Sequence, residues 1–198
     1  MKLFYALSAS ILFSASAYSQ TILFLGDSLT EGYRLPKEAA YPAIIEKELK
    51  TTNKKIKVIN GGVSGATSAS GLKRLDWYLK AKPDIMVLAL GANDGLRGLK
   101  VADTEKNLSG TVEKAQSRGI KVIIAGMRMP TNYGEPYRTD FEELFAKVAR
   151  KYKLKSIPFL LEGVGGKPEL NLPDGIHPNS KGHEIMAETV LKVLEKEL

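Results

Sequence analysis

The chain has 198 residues, enough for one domain with a sizeable core and too few for a second of ordinary size. Hydrophobic residues make up 43% and charged residues 26%, a globular balance that excludes a disordered polymer, and no repeat period breaks the chain into units. The formal charge of +7 comes from scattered lysines such as Lys47, Lys54, Lys73 and Lys82, which suits a solvated surface and not a nucleic-acid site. With no cysteine and only two histidines, neither a disulfide framework nor a zinc site is expected.

Residues 1–19 stand apart. Lys2 supplies a positive start, Leu3 to Phe13 a mostly apolar run, and Ala17–Tyr18–Ser19 a small-residue cleavage pattern. This is the pattern of an export signal peptide, too short for a stable membrane span, and it leaves a mature domain over residues 20–198. Cleavage after Ser19 removes Lys2 and lowers the formal charge from +7 to +6. A secreted or periplasmic protein is the expectation.

Strand-like runs then alternate with helix-like segments. Thr21–Leu25, Lys57–Asn60, Asp84–Leu90 and Ile120–Ala125 are apolar runs that meet glycine, and Ser156–Leu160 is a weaker fifth. Continuous apolar runs suit strands covered on both faces. Between them, Tyr41–Leu49, Ala69–Leu79 and Thr104–Ser117 are helix candidates. Phe141, Leu144, Phe145, Val148, Ala149 and Tyr152 recur at helical spacing, as do Met186, Val190, Val193 and Leu194. The alternation predicts an α/β fold with a parallel sheet between helices. Ligands of such sheets bind beyond the carboxyl ends of the strands, where Asp27–Ser28, Gly62–Gly65 and Asn93–Asp94 all fall.

Ser28 follows the first strand directly. A serine hydroxyl needs a base to accept its proton, and otherwise Ser28 reads as a helix N-cap. It is not the G-x-S-x-G elbow, because Thr30 occupies the last glycine position. Of the two histidines, His177 has a carboxylate three residues earlier, Asp174, placed to hold one ring nitrogen while the other faces the serine. His183 lies within the last helix and reads as a surface or helix-packing residue. Donors for an oxyanion are available from the Ser28 N–H, the Gly65 N–H and the Asn93 amide; Gly65 and Asn93 read equally as turn and cap residues. Asp27 and Asp94, beside these positions, read as loop-ordering and helix-capping groups.

Four ordered blocks, GDSLTEG at 26–32, GGVSGATS at 61–68, GANDGLRG at 91–98 and DGIHPN at 174–179, resemble the GDSL branch of the SGNH hydrolases. GYR at 32–34, NDGLRG at 93–98, and NYG at 132–134 followed by Tyr137 are similar to a narrower group of bacterial periplasmic arylesterases, thioesterases and lysophospholipases. The resemblance implies a three-layer α/β/α sandwich with a five-stranded parallel sheet in flavodoxin-like order. It implies Ser28, Asp174 and His177 as the catalytic set, and Ser28, Gly65 and Asn93 as the oxyanion hole. Leu96, Leu99, Met127, Met129 and Tyr133 are expected to border an acyl pocket. A monomer acting on a small-molecule or lipid ester without cofactor or metal is the overall expectation. Two alternatives stay open: a carbohydrate O-acetyl esterase of the same fold, and a non-catalytic lipid or glycan binder.

Overall fold

The computed structural model describes residues 19–52 and 55–198. The expected leader, Ser19 apart, lies outside the described residues. Five strands form one parallel sheet: β1 (Gln20–Gly26), β2 (Ile56–Gly62), β3 (Ile85–Ala89), β4 (Lys121–Ala125) and β5 (Lys155–Ile157). Their spatial order is β2-β1-β3-β4-β5, with Ile22 paired to Val58 on one side and Ile85 on the other. β1 and β3 are central and entirely apolar in their middles; Ile22, Leu23, Phe24, Leu25, Ile85, Met86, Val87 and Leu88 are all fully buried. Each such side chain contributes about 2 kcal/mol of burial, so these runs set the sheet's centre.

The edge strands depart from the apolar-run expectation. Lys57 and Asn60 of β2 are exposed, because an edge strand meets water along one side. The fifth strand is three residues long, Lys155–Ile157, and stops short of the run Ser156–Leu160 that the sequence offers. Pro158 has no N–H to continue the ladder, and the Leu160 N–H turns back to the Gly126 carbonyl at 2.9 Å.

The crossovers between parallel strands place the helices in two layers. On one face α2 (Tyr41–Thr51) packs against α7 (Ser180–Leu194); on the other, α5 (Val101–Ser117) lies between α3 (Gly71–Tyr78) and α6 (Glu135–Tyr152). The helical stripe of α6 is buried as its spacing predicts, from Phe141 to Ala149. Two short helices complete the chain, α1 (Ser28–Glu31) after β1 and α4 (Ala92–Leu96) after β3. The order reverses between β1 and β3, so α1 and α4 begin on either side of the crevice where parallel sheets of this type bind ligands.

Candidate active site

The turn from β1 into α1 carries Ser28. Asp27 caps the helix, its Oδ1 accepting from the Leu29 N–H at 3.0 Å, and Gly32 in the left-handed region (φ 83°) closes it with an N–H to the Ser28 carbonyl at 3.1 Å. The fold-back is tight. A Cβ on Gly26 would lie 1.9 Å from Thr30 Oγ1, so the absence of a side chain at Gly26 makes room for the buried Thr30. Thr30 Oγ1 in turn meets the Tyr41 hydroxyl at 2.9 Å, anchoring α1 to α2. As the first residue of α1, Ser28 has no intrahelical carbonyl for its N–H.

His177 arrives from a turn just before α7. Asp174 Oδ1 accepts the N–H groups of Ile176 at 3.1 Å and His177 at 3.0 Å, wrapping the turn around its own carboxylate. Asp174 Oδ2 lies 2.9 Å from His177 Nδ1, and His177 Nε2 lies 2.9 Å from Ser28 Oγ. A carboxylate only accepts, so Nδ1 bears the proton and the Ser28 hydroxyl donates to Nε2. Partial desolvation pushes the Asp174 carboxyl up, but the His177 ring and the two N–H groups outweigh it and hold the carboxyl below its ordinary range. Tyr33 packs on the imidazole with ring centroids 4.4 Å apart.

The third element comes from the short helix α4 and the loop after β2. Asn93, in the first turn of α4, donates from Nδ2 to the Ala66 carbonyl at 3.1 Å, next to Gly65. Gly65 has φ +75°, a conformation that other residues adopt only with strain, and its carbonyl accepts from Arg97 Nη2 at 3.0 Å. Ser28, Gly65, Asn93, Asp174 and His177 are therefore drawn together from three strand ends and the approach to the last helix.

A cavity of about 370 Å³ opens beside Ser28, Asn93 and His177. Leu96, Met127 and Met129 line it, and so do Leu29, Phe159, Leu161 and Ile176, which the sequence pattern did not single out. Leu99 and Tyr133 do not line this cavity. Gly98 (φ +62°) turns the chain outward so that Leu99 is 41% exposed, and the Tyr133 hydroxyl donates to the Leu96 carbonyl at 2.8 Å, bracing the wall from behind.

Two buried ionisable groups, Asp27 and Arg74, interact near this turn. Burial drives the Asp27 carboxyl up to about 7, against the Leu29 N–H and the charge of Arg74, which pull it down. Arg74 is 4% exposed, donates from Nη2 to the Gly61 carbonyl, and is itself shifted downward by burial. Among the described residues, Asp27 Oδ2 and Arg74 Nε and Nη1 have no hydrogen-bond partner.

A hydroxyl, an imidazole and a carboxylate in line at the switch point of a parallel α/β sheet, beside an apolar cavity, define a serine-hydrolase class of site. The family profile described as GDSL-like lipase/acylhydrolase matches residues 24–185. An arylesterase of Vibrio mimicus is 38% identical over 197 residues, 99% of this chain and 96% of its own length. The thioesterase 1/protease 1/lysophospholipase L1 of Escherichia coli (strain K12) is 35% identical over 181 residues, 91% of this chain and 86% of its own. A crystal structure of TesA superposes with a TM-score of 0.88 at 37% identity, covering 90% of this chain and all of that one. The chain belongs to the GDSL-like lipase/acylhydrolase family, and it is a carboxylic ester hydrolase.

Proposed function

We propose that hydrolysis runs through an acyl-enzyme on Ser28. His177 Nε2 takes the hydroxyl proton as Oγ attacks the carbonyl carbon, and the negative charge collects on the former carbonyl oxygen. Ser28 N–H, Gly65 N–H and the second Asn93 amide hydrogen hold that oxygen, an arrangement in which each donor typically contributes about 3 kcal/mol. His177 then protonates the departing alcohol or thiol. A water, deprotonated by the same nitrogen, releases the acid and restores Ser28. Asp174 stays ionised, holds the imidazole in one tautomer, and stabilises its charged form. The observation that carries this reading is the pair of 2.9 Å contacts from Asp174 to His177 to Ser28.

The cavity supports acyl groups larger than acetyl. Its volume falls within the range of small-molecule pockets, and its walls are mostly aliphatic and thioether side chains that adapt to a flexible chain. That favours fatty acyl esters, thioesters and lysophospholipids over acetylated sugars. Residues 1–19 serve as an export leader in this reading, and β1 begins at Gln20, immediately after the expected cut. Among the described residues no helix is long and apolar enough to cross a membrane. Mass spectrometry of protein recovered outside the cytoplasm checks the cut, with Gln20 expected at the amino terminus.

The test of the chemistry is hydrolysis of p-nitrophenyl esters from acetate to palmitate, with acyl-thioester and lysophospholipid arms, by mature protein and its Ser28→Ala variant. Loss of all activities in Ser28→Ala supports the scheme. Retained activity in the variant refutes it.

A further inference from the structure

The carboxylate next to Asn93 is engaged more heavily than a loop cap requires. Asp94 is 2% exposed. Its Oδ2 accepts the Ser68 N–H at 2.8 Å, and its Oδ1 accepts the Ser68 hydroxyl at 2.5 Å and the Thr104 hydroxyl at 3.2 Å. Ser68 Oγ also accepts from Asn107 Nδ2 at 3.0 Å. One carboxylate thus fastens α4, where it sits, to the loop that carries Gly65 and to α5.

The fastening matters because the two proposed oxyanion donors outside α1 belong to different segments. Asn93 lies on α4; Gly65 lies on the loop that ends at Ser68. One Asn93 amide hydrogen is committed to the Ala66 carbonyl, which sets the direction of the other. The remaining ties of this loop are weaker holds. Ser64 and Gly65 are bound by Glu31 and Arg97, exposed side chains open to solvent screening, and the Val63 N–H reaches the Gly26 carbonyl at 3.3 Å. The two-pronged Asp94–Ser68 contact is buried and charge-assisted, so it is the strong member of the set.

We infer that Asp94 is a positioning residue for the oxyanion site, holding the Gly65 loop in register with Asn93 so that both donors meet the same oxygen. It touches neither substrate nor reacting atoms. The inference rests on the Ser28 acyl-enzyme reading, and it concerns kcat: a misplacement of about 1 Å in a catalytic donor costs on the order of 100-fold in rate.

The experiment compares full-length mature enzyme with Asp94→Ala, Asp94→Asn, Ser68→Ala and Ser28→Ala on p-nitrophenyl butyrate, separating kcat from KM, and adds Asp94→Ala in an Asn93→Ala background. Asp94→Ala is expected to lower kcat roughly 100-fold with KM within about threefold, the pattern of a lost transition-state interaction. Asp94→Asn keeps an acceptor for the Ser68 N–H and a donor to its hydroxyl, so it should recover most of the loss. Where Asn93 is already gone, Asp94→Ala should cost no more than about tenfold, since residues acting as a unit are non-additive. If Asp94→Ala does not fold, Ser68→Ala carries the test, with about tenfold lower kcat and unchanged KM expected for one lost prong. Unchanged kcat in the folded variants, or the full loss repeated without Asn93, overturns the inference while an inactive Ser28→Ala leaves the acyl-enzyme reading standing. An active Ser28→Ala overturns both.

Discussion

His183 provides a direct test of how burial sets the energetics of this fold. It is 1% exposed on α7, stacks on Tyr41 with ring centroids 6.2 Å apart, and its Nδ1 accepts the Tyr41 N–H at 3.2 Å. Desolvation, with a smaller contribution from the charge of His177, lowers its pKa from 6.5 to about 4. The unfolded chain therefore binds a proton that the folded chain refuses between those values. The stability from a neutral His183 is complete above pH 6.5 and is lost as the pH falls toward 4. Linkage makes that loss about 2 kcal/mol at pH 5 and about 3 kcal/mol at pH 4. Asp27 acts with the opposite sign, because its raised pKa lets the folded state take up a proton between 7 and 3.8 and gain stability as the medium acidifies. The two nearly cancel in the raw profile, so the diagnostic quantity is the difference between wild type and His183→Asn. Asparagine presents an oxygen where Nδ1 stood and does not titrate. His183→Asn should be the less stable protein at pH 7.5, through lost packing, and that deficit should shrink by about 2 kcal/mol at pH 5. Urea unfolding followed by far-UV circular dichroism is the assay, since Trp77, the only tryptophan, is 60% exposed and a poor reporter of the core. A deficit that stays constant between pH 7.5 and 5 refutes the burial argument.

Three further outcomes follow from the site. Asp174→Asn should leave Ser28 and His177 in place yet lower kcat by roughly 1,000- to 10,000-fold, because the amide no longer selects the tautomer; steady-state kinetics with unchanged circular dichroism checks it. Gly26→Ala forces a methyl against Thr30 and should destabilise the protein by about 1–3 kcal/mol in urea titration, and Gly26→Ala combined with Thr30→Ser should restore little, since the oxygen remains 1.9 Å away. Met129→Trp fills part of the cavity wall and should depress kcat/KM for decanoyl and longer esters by about tenfold relative to acetate, read from the p-nitrophenyl series. An unaltered chain-length profile places the acyl chain elsewhere.

Much of the architecture is written locally. An apolar run such as Ile22–Leu25 can satisfy its side chains only between two covering layers, and the stripe from Phe141 to Ala149 can bury only one helical face; both are properties of neighbouring residues. Asp174 and His177 were equally legible, because a carboxylate three residues before a histidine closes a turn within one segment. The blocks around Ser28, Gly65 and Asn93 were legible as positions at strand ends, yet their meeting depends on strand order, which sequence spacing does not express. Ser28 and His177 are 149 residues apart and meet because the sheet reverses direction of growth between β1 and β3. The same holds for His183 and Tyr41, 142 residues apart, whose contact turned a surface-or-packing histidine into a buried neutral one. Leu99 and Tyr133 adjoin the site motifs along the chain without lining the cavity, whereas Phe159 and Leu161 line it just after Pro158, where the edge strand has ended. Proximity along the chain selects the local turn; which surfaces close around the site is settled by packing between segments that share no sequence neighbourhood, where long-range burial outweighs local preference.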